Sequence, residues 1–158
     1  MTHSASPSTV HPADPAALQR VRDSFALQGA MQTLGAQLTH VAHGAIDVCF
    51  DWAPALTQQH GFIHAGMLST ALDSACGYAA LSVMPPEAGV LSIEFKTNLL
   101  APAAGQRFRC EGRVLKAGRT IVVAEGRAYS IAHGQDKLCA TMQCTLMAVQ
   151  GREGIAGR

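Results

Sequence analysis

The sequence predicts an α+β protein in which an antiparallel sheet of about six strands curls around one long central helix. Three observations carry that expectation. Only the segment from Ala65 to about Ser82 is both several helical turns long and apolar on nearly every side. The segments on either side of it alternate apolar and polar residues with a period of two. The links between the later segments are short and built from Gly, Pro, Ala and polar residues, which suits antiparallel neighbours. A helix with so little polar surface must be covered on most sides, and one antiparallel sheet can do that only by curling around it.

The elements follow in order. Residues 1–14 are Ser, Thr, Pro, His and Ala without periodicity and read as a flexible N-terminal tail; "GREGIAGR" at 151–158 reads as a C-terminal tail, leaving 15–150 as a single domain. "DPAALQRVRDSFALQG" offers Asp14 as an N-cap and Pro15 at the first helical position, sets Leu18, Val21 and Phe25 at helical spacing, and stops at Gly29. In "LTHVAHGAIDVCFDW" the period is two, with Ile46, Val48, Phe50 and Trp52 on one face and a hairpin turn at His43–Gly44. After the long helix come four more alternating segments: "LSIEFKTNLLAPA", "RFRCEGRVLKAG", "TIVVAEGRAYSIA" and "KLCATMQCTLMAV". The first of these places Ile93, Phe95, Thr97 and Leu99 on one face.

The totals narrow the function. A chain of 158 residues has room for one ordinary core. With 48% hydrophobic residues, 15% charged and a formal charge of +1, it is neither a disordered chain nor a polyanion binder, so nucleic acid is not an expected partner. The sparse charge leans towards self-association, hence a homo-oligomer. Five cysteines, an odd number without Cys-x-x-Cys spacing, read as buried thiols of a reducing compartment, and no run of about 18 apolar residues suggests a membrane span. The expected location is cytoplasmic, with no membrane partner.

Asp73 is the anomaly, a lone carboxylate in the apolar helix. At three and four residues' remove stand Ser69, Thr70, Cys76 and Gly77, small groups that let a ligand or another backbone approach it. Just upstream, "HGFIHAG" ends at the helix start, so the N–H groups of Ala65 and Gly66 are expected to be unpaired donors at the positive end of the helix dipole. Such donors can hold the oxygen of an acyl group while a nearby carboxylate attacks its carbon or activates a water. A metal site is not expected, because the seven histidines lack the spacing of zinc ligands. A thiol nucleophile is not expected either: Cys76 lies three residues from a carboxylate that opposes its ionisation.

At these residues the chain resembles the PaaI-like hotdog-fold acyl-CoA thioesterases. "HAGMLSTALD", with Asp nine residues after His, and "SIEFKTNLLAPA", a strand that starts near a Ser and ends in an aliphatic-x-Pro-Ala turn, carry the likeness, which runs from about Gln28 to Val149. The resemblance implies a hotdog fold with Asp73 as nucleophile or general base and the Ala65 N–H polarising the thioester carbonyl. It further implies that His64 orients that oxygen, Gln58 positions the water or thioester, and Ser92 lies beside the carboxylate. Ala65 stands where the family usually has Gly, and Gln58 where it often has Asn. The basic turn "RVLKAGRT", with Arg113, Lys116 and Arg119 around Gly118, corresponds to a region that often meets the nucleotide of coenzyme A; ordinary surface charge on a hairpin tip is the plain alternative. No cofactor is expected beyond the coenzyme A of the substrate.

Hydrolysis of an acyl-CoA thioester is thus the leading expectation, with a hydratase or dehydratase of the same fold and a non-catalytic acyl-CoA binder as alternatives. From Ala65 to Asp73 is eight residues, about 12 Å along a helix at 1.5 Å each. That is too far for both to touch one thioester carbon, so two chains are expected to share each site, in a dimer or a dimer of dimers.

Overall fold

A computed structural model describes residues 14–151 and 154–155. The residues before 14, and with them most of the expected N-terminal tail, lie outside the described residues. The helices are α1 (Pro15–Ala26), α2 (Gly29–Leu34) and α3 (Ala65–Leu81); the strands are β1 (Gln37–Ala42), β2 (Ala45–Asp51), β3 (Gly89–Leu99), β4 (Arg107–Ala117), β5 (Ile121–Ala132) and β6 (Gln135–Val149). All strand pairs are antiparallel, in the order β1-β2-β4-β5-β6-β3, so β1 and β3 are the edges of a curled, unclosed sheet packed against α3.

The start of α1 is as expected: Asp14 accepts a hydrogen bond from the Ala16 N–H at 3.0 Å, and Pro15 occupies the first turn. Gly29, read as a simple stop, instead begins α2, which ends at Gly35 in a left-handed conformation (φ 64°). Six residues are too few for a helical period to show in sequence. Trp52 also departs from the reading. Ile46, Val48 and Phe50 are buried, whereas Trp52 lies past the end of β2, 42% exposed, donating its indole N–H to the Gly61 carbonyl at 3.0 Å.

What lets α3 sink into the sheet is a pair of facing glycines. Gly112 on β4 and Gly126 on β5 are register partners. A Cβ on Gly112 would lie 2.3 Å from the Ala75 backbone, and one on Gly126 would meet Leu72 and Cys76 at 3.0–3.1 Å. The trough they form receives Leu68, Ala71, Leu72, Ala75, Cys76 and Ala79, all buried. At the far end of α3, Arg20 donates to the Leu81 and Met84 carbonyls at 2.8 and 3.0 Å, satisfying acceptors that a helix end leaves open.

The opposite stripe of α3 is only partly covered. Gly66, Ser69, Thr70, Asp73 and Gly77 remain exposed or half-buried, at the helical spacing of one face. Beside them runs the free edge of β3. A register shift between Ser92 and Glu94 sets Ser92 and Phe95 on the same, inward side of the strand, opposite the buried Leu146 and Cys144. Ile93 falls at that shift, so the even alternation Ile93-Phe95-Thr97-Leu99 expected from sequence does not hold through residue 93. Phe95 and Leu99 point inward yet stay 48% and 58% exposed, because the described residues cover this side of the helix only in part.

Candidate active site

The loop before α3 is held by backbone pairing. Thr57 and Ile63 form an isolated antiparallel bridge, the His64 N–H donates to the Leu56 carbonyl at 2.9 Å, and Gly61 turns the chain at φ 83°. Gln58 sits on this loop with its side-chain oxygen accepting the His60 N–H, so its amide NH₂ is the end left to face outward.

His64 is the N-cap of α3. Its Nδ1 accepts the Gly66 N–H at 2.9 Å, which places the proton of the neutral ring on Nε2. This corrects one expectation: the Gly66 N–H is not an unpaired donor, because the imidazole takes it. The Met67 and Leu68 N–H groups both turn to the His64 carbonyl. The Ala65 N–H donates to no group among the described residues, and it alone remains as a first-turn donor beside a pocket of about 450 Å³ lined by Gln58, Phe62, Ala65, Leu99 and Pro102.

Asp73 lines a different pocket, of about 460 Å³, together with Gln28, Tyr78, Val90, Ser92 and Ile155. The Ser92 hydroxyl donates to Asp73 Oδ1 at 2.7 Å, a short charge-assisted bond, so the expected pairing of Ser92 with the carboxylate is present. Gly154 and Ile155, within the segment read as a C-terminal tail, lie against Gly89, where a Cβ would sit 1.9 Å from the Ile155 carbonyl oxygen. Sequence gave no signal for that, since two residues set no period. Cys76 is buried, and desolvation raises its thiol further above the ordinary range than its neighbours Cys144 and Asp73 do.

The basic turn divides in two. Arg113 is occupied: its guanidinium sits 2.7 Å from the Asp47 carboxylate and donates to the Ile46 and Gly112 carbonyls. It is part of the sheet's outer surface rather than of the turn. Gly118 closes the β4–β5 hairpin, its N–H bonded to the Ile121 carbonyl at 2.9 Å and its Cα so near that oxygen that a Cβ would fall 2.6 Å from it. Lys116 and Arg119 are exposed and enter no ion pair among the described residues. Ile121 pairs with Met147, which pairs with Leu91, so the tip lies at the end of the sheet where β3 enters the Asp73 pocket.

A six-stranded antiparallel sheet wrapped on one helix, with a donor at the helix start and a carboxylate nine residues after the N-cap histidine, matches known proteins in sequence and shape. The model of the thioesterase superfamily matches residues 60–145, from the loop before α3 into β6. The chain belongs to the thioesterase superfamily. A Saccharolobus solfataricus protein that carries an esterase name is 31% identical over 107 residues, 68% of this chain and 69% of its own. The crystal structure of a thioesterase family protein from Silicibacter pomeroyi superposes with a TM-score of 0.84 at 52% identity, covering 85% of this chain and 99% of that one. The E. coli PaaI protein from the phenylacetic acid degradation operon shares the fold, with a TM-score of 0.78 at 18% identity over 88% of this chain and 97% of its own. The protein is therefore a thioester hydrolase of the PaaI-like hotdog fold. Among the described residues no helix is long and apolar enough to cross a membrane, and no group of three or more metal-ligating side chains occurs.

Proposed function

We propose that this thioesterase hydrolyses acyl-CoA in the cytoplasm as a homodimer, or a dimer of such dimers, with each active site built from two chains. The observation that carries the reading is that Ala65 and Asp73 line two separate pockets, one at each end of β3: Gly89–Ser92 flank the carboxylate and Leu99–Ala103 flank the Ala65 N–H. The exposed edge of β3 and the inward-facing Phe95 and Leu99 are what a second copy would cover. Two-fold pairing of β3 with its counterpart is antiparallel and swaps the strand's ends, so the carboxylate pocket of one chain meets the Ala65 pocket of the other.

In the joined site the Ala65 N–H, at the positive end of α3, donates to the thioester oxygen and stabilises the charge that develops there. His64 Nε2–H is a second donor of fixed tautomer for that oxygen. Asp73 of the other chain attacks the carbonyl carbon, or takes the proton of a water that does, and the thiolate of coenzyme A leaves. The outward NH₂ of Gln58 supports the water or the thioester. Lys116 and Arg119, on the hairpin tip at the same end of the sheet as the carboxylate pocket, suit the phosphates of coenzyme A. Gly66 would contribute space beside His64 rather than a free donor.

Incubating the protein with acetyl-, hexanoyl-, palmitoyl- and benzoyl-CoA while monitoring free thiol tests the reading. Release of thiol with at least one ester is expected. Binding without release would make the protein a non-catalytic acyl-CoA binder, and conversion of an enoyl-CoA without thiol release would make it a hydratase.

A further inference from the structure

A second donor reaches the catalytic carboxylate from β6. Cys144 is fully buried, faces the inner side of the sheet opposite Phe95, and its Sγ lies 3.8 Å from Asp73 Oδ1, within the reach of a thiol hydrogen bond. Ser92 donates to that same oxygen, while Oδ2 accepts nothing among the described residues. We propose that Cys144 is a positioning residue for the thioesterase reaction: its S–H and the Ser92 O–H together hold Oδ1, so that Oδ2 is the oxygen Asp73 presents to thioester or water. This rests on Asp73 acting in the hydrolysis.

Two donors arriving from adjacent strands fix both the position and the plane of the carboxylate, which a single hydroxyl would leave free to rotate. Only a protonated thiol can do this. Desolvation first, and the Asp73 charge next, push Cys144 up to about 11, so it remains S–H throughout the neutral range. A thiol also suits the place better than a hydroxyl in one respect: its other surfaces face the apolar core, where an unmet hydroxyl lone pair would be costly.

The test compares Cys144→Ser, which keeps a donor, with Cys144→Val, which removes it and fills the site with slightly larger apolar bulk. The faster of hexanoyl-CoA and benzoyl-CoA serves as substrate. The Val variant should lose about three- to tenfold in kcat, the scale of one hydrogen bond, with KM within about twofold. The Ser variant should stay within about twofold of the parent in kcat. The other ionisable groups around this corner, Cys76 and Tyr78 on α3, Glu94 on β3 and Glu125 on β5, are the same in both. Equal kcat in folded Ser and Val variants would overturn the inference and make Cys144 a packing residue. If Val does not fold, Cys144→Ala takes its place in the same comparison. Undiminished turnover of Asp73→Asn would instead sink the assignment of Asp73 itself.

Discussion

The two faces of α3 obey different rules. The face in the Gly112–Gly126 trough carries Leu68, Leu72, Ala75 and Cys76, and each is packed on its own sheet. The other face carries Gly66, Ser69, Thr70, Asp73 and Gly77, and each is at least partly open. One helix therefore supplies the core with contacts and the site with clearance. A carboxylate is tolerated because it stands on the face that the chain's own sheet leaves partly open, with Ser92 meeting its charge from the strand edge.

The sharpest way to break this contrast is to change one residue on each face. Asp73→Asn, on the open face, should leave thermal stability nearly intact and lower turnover by at least about a hundredfold, the scale of losing a positioned base or nucleophile. Comparable turnover in parent and variant would mean that the open face does not carry the chemistry. Gly112→Ala, on the covered side, should do the reverse in kind. Its methyl meets the Ala75 backbone, which cannot rotate away, so the variant should lose about 2–3 kcal/mol in denaturant unfolding. An unchanged midpoint would show that the helix does not rest in the trough.

A smaller effect separates the open face from the hairpin beside it. Replacing Lys116 and Arg119 together by Ala should raise KM for a CoA ester several-fold while barely altering hydrolysis of a short thioester lacking the nucleotide. Equal changes with both substrates would make the β4–β5 tip structural and confine recognition to the helix and β3.

The covered face was legible in sequence because burial writes itself as composition: an apolar helix amid alternating strands has few ways to hide. Asp73 and the Ala65 N–H stood out as candidates for the opposite reason, the one being out of keeping with its surroundings and the other placed by the helix start, while Ser92 came only through the family resemblance. What could not be read depends on the third dimension. That the imidazole takes the Gly66 N–H follows from the extended backbone at His64 (φ −63°, ψ 136°), which no spacing records. The Asp47 partner of Arg113 is 66 positions away, and Cys144 reaches Asp73 across 71 residues of chain. The register shift after Ser92, which turns Ser92 and Phe95 to one side, leaves no mark in an alternating stretch.

The most direct test of the shared site is complementation between two dead variants, Asp73→Ala and Ala65→Pro. Proline fits the second position: Ala65 opens the helix, its N–H holds nothing in place, and the extended His64 before it suits a proline neighbour. In a mixed dimer one site takes Asp73 from the proline chain and Ala65 from the alanine chain and is whole, while the other site lacks both. Co-expression with two affinity tags isolates the heterodimer, and its acyl-CoA hydrolysis should approach half that of the parent dimer. Heterodimers as inactive as either variant alone, with both variants folded and dimeric, would contradict a site built from two chains.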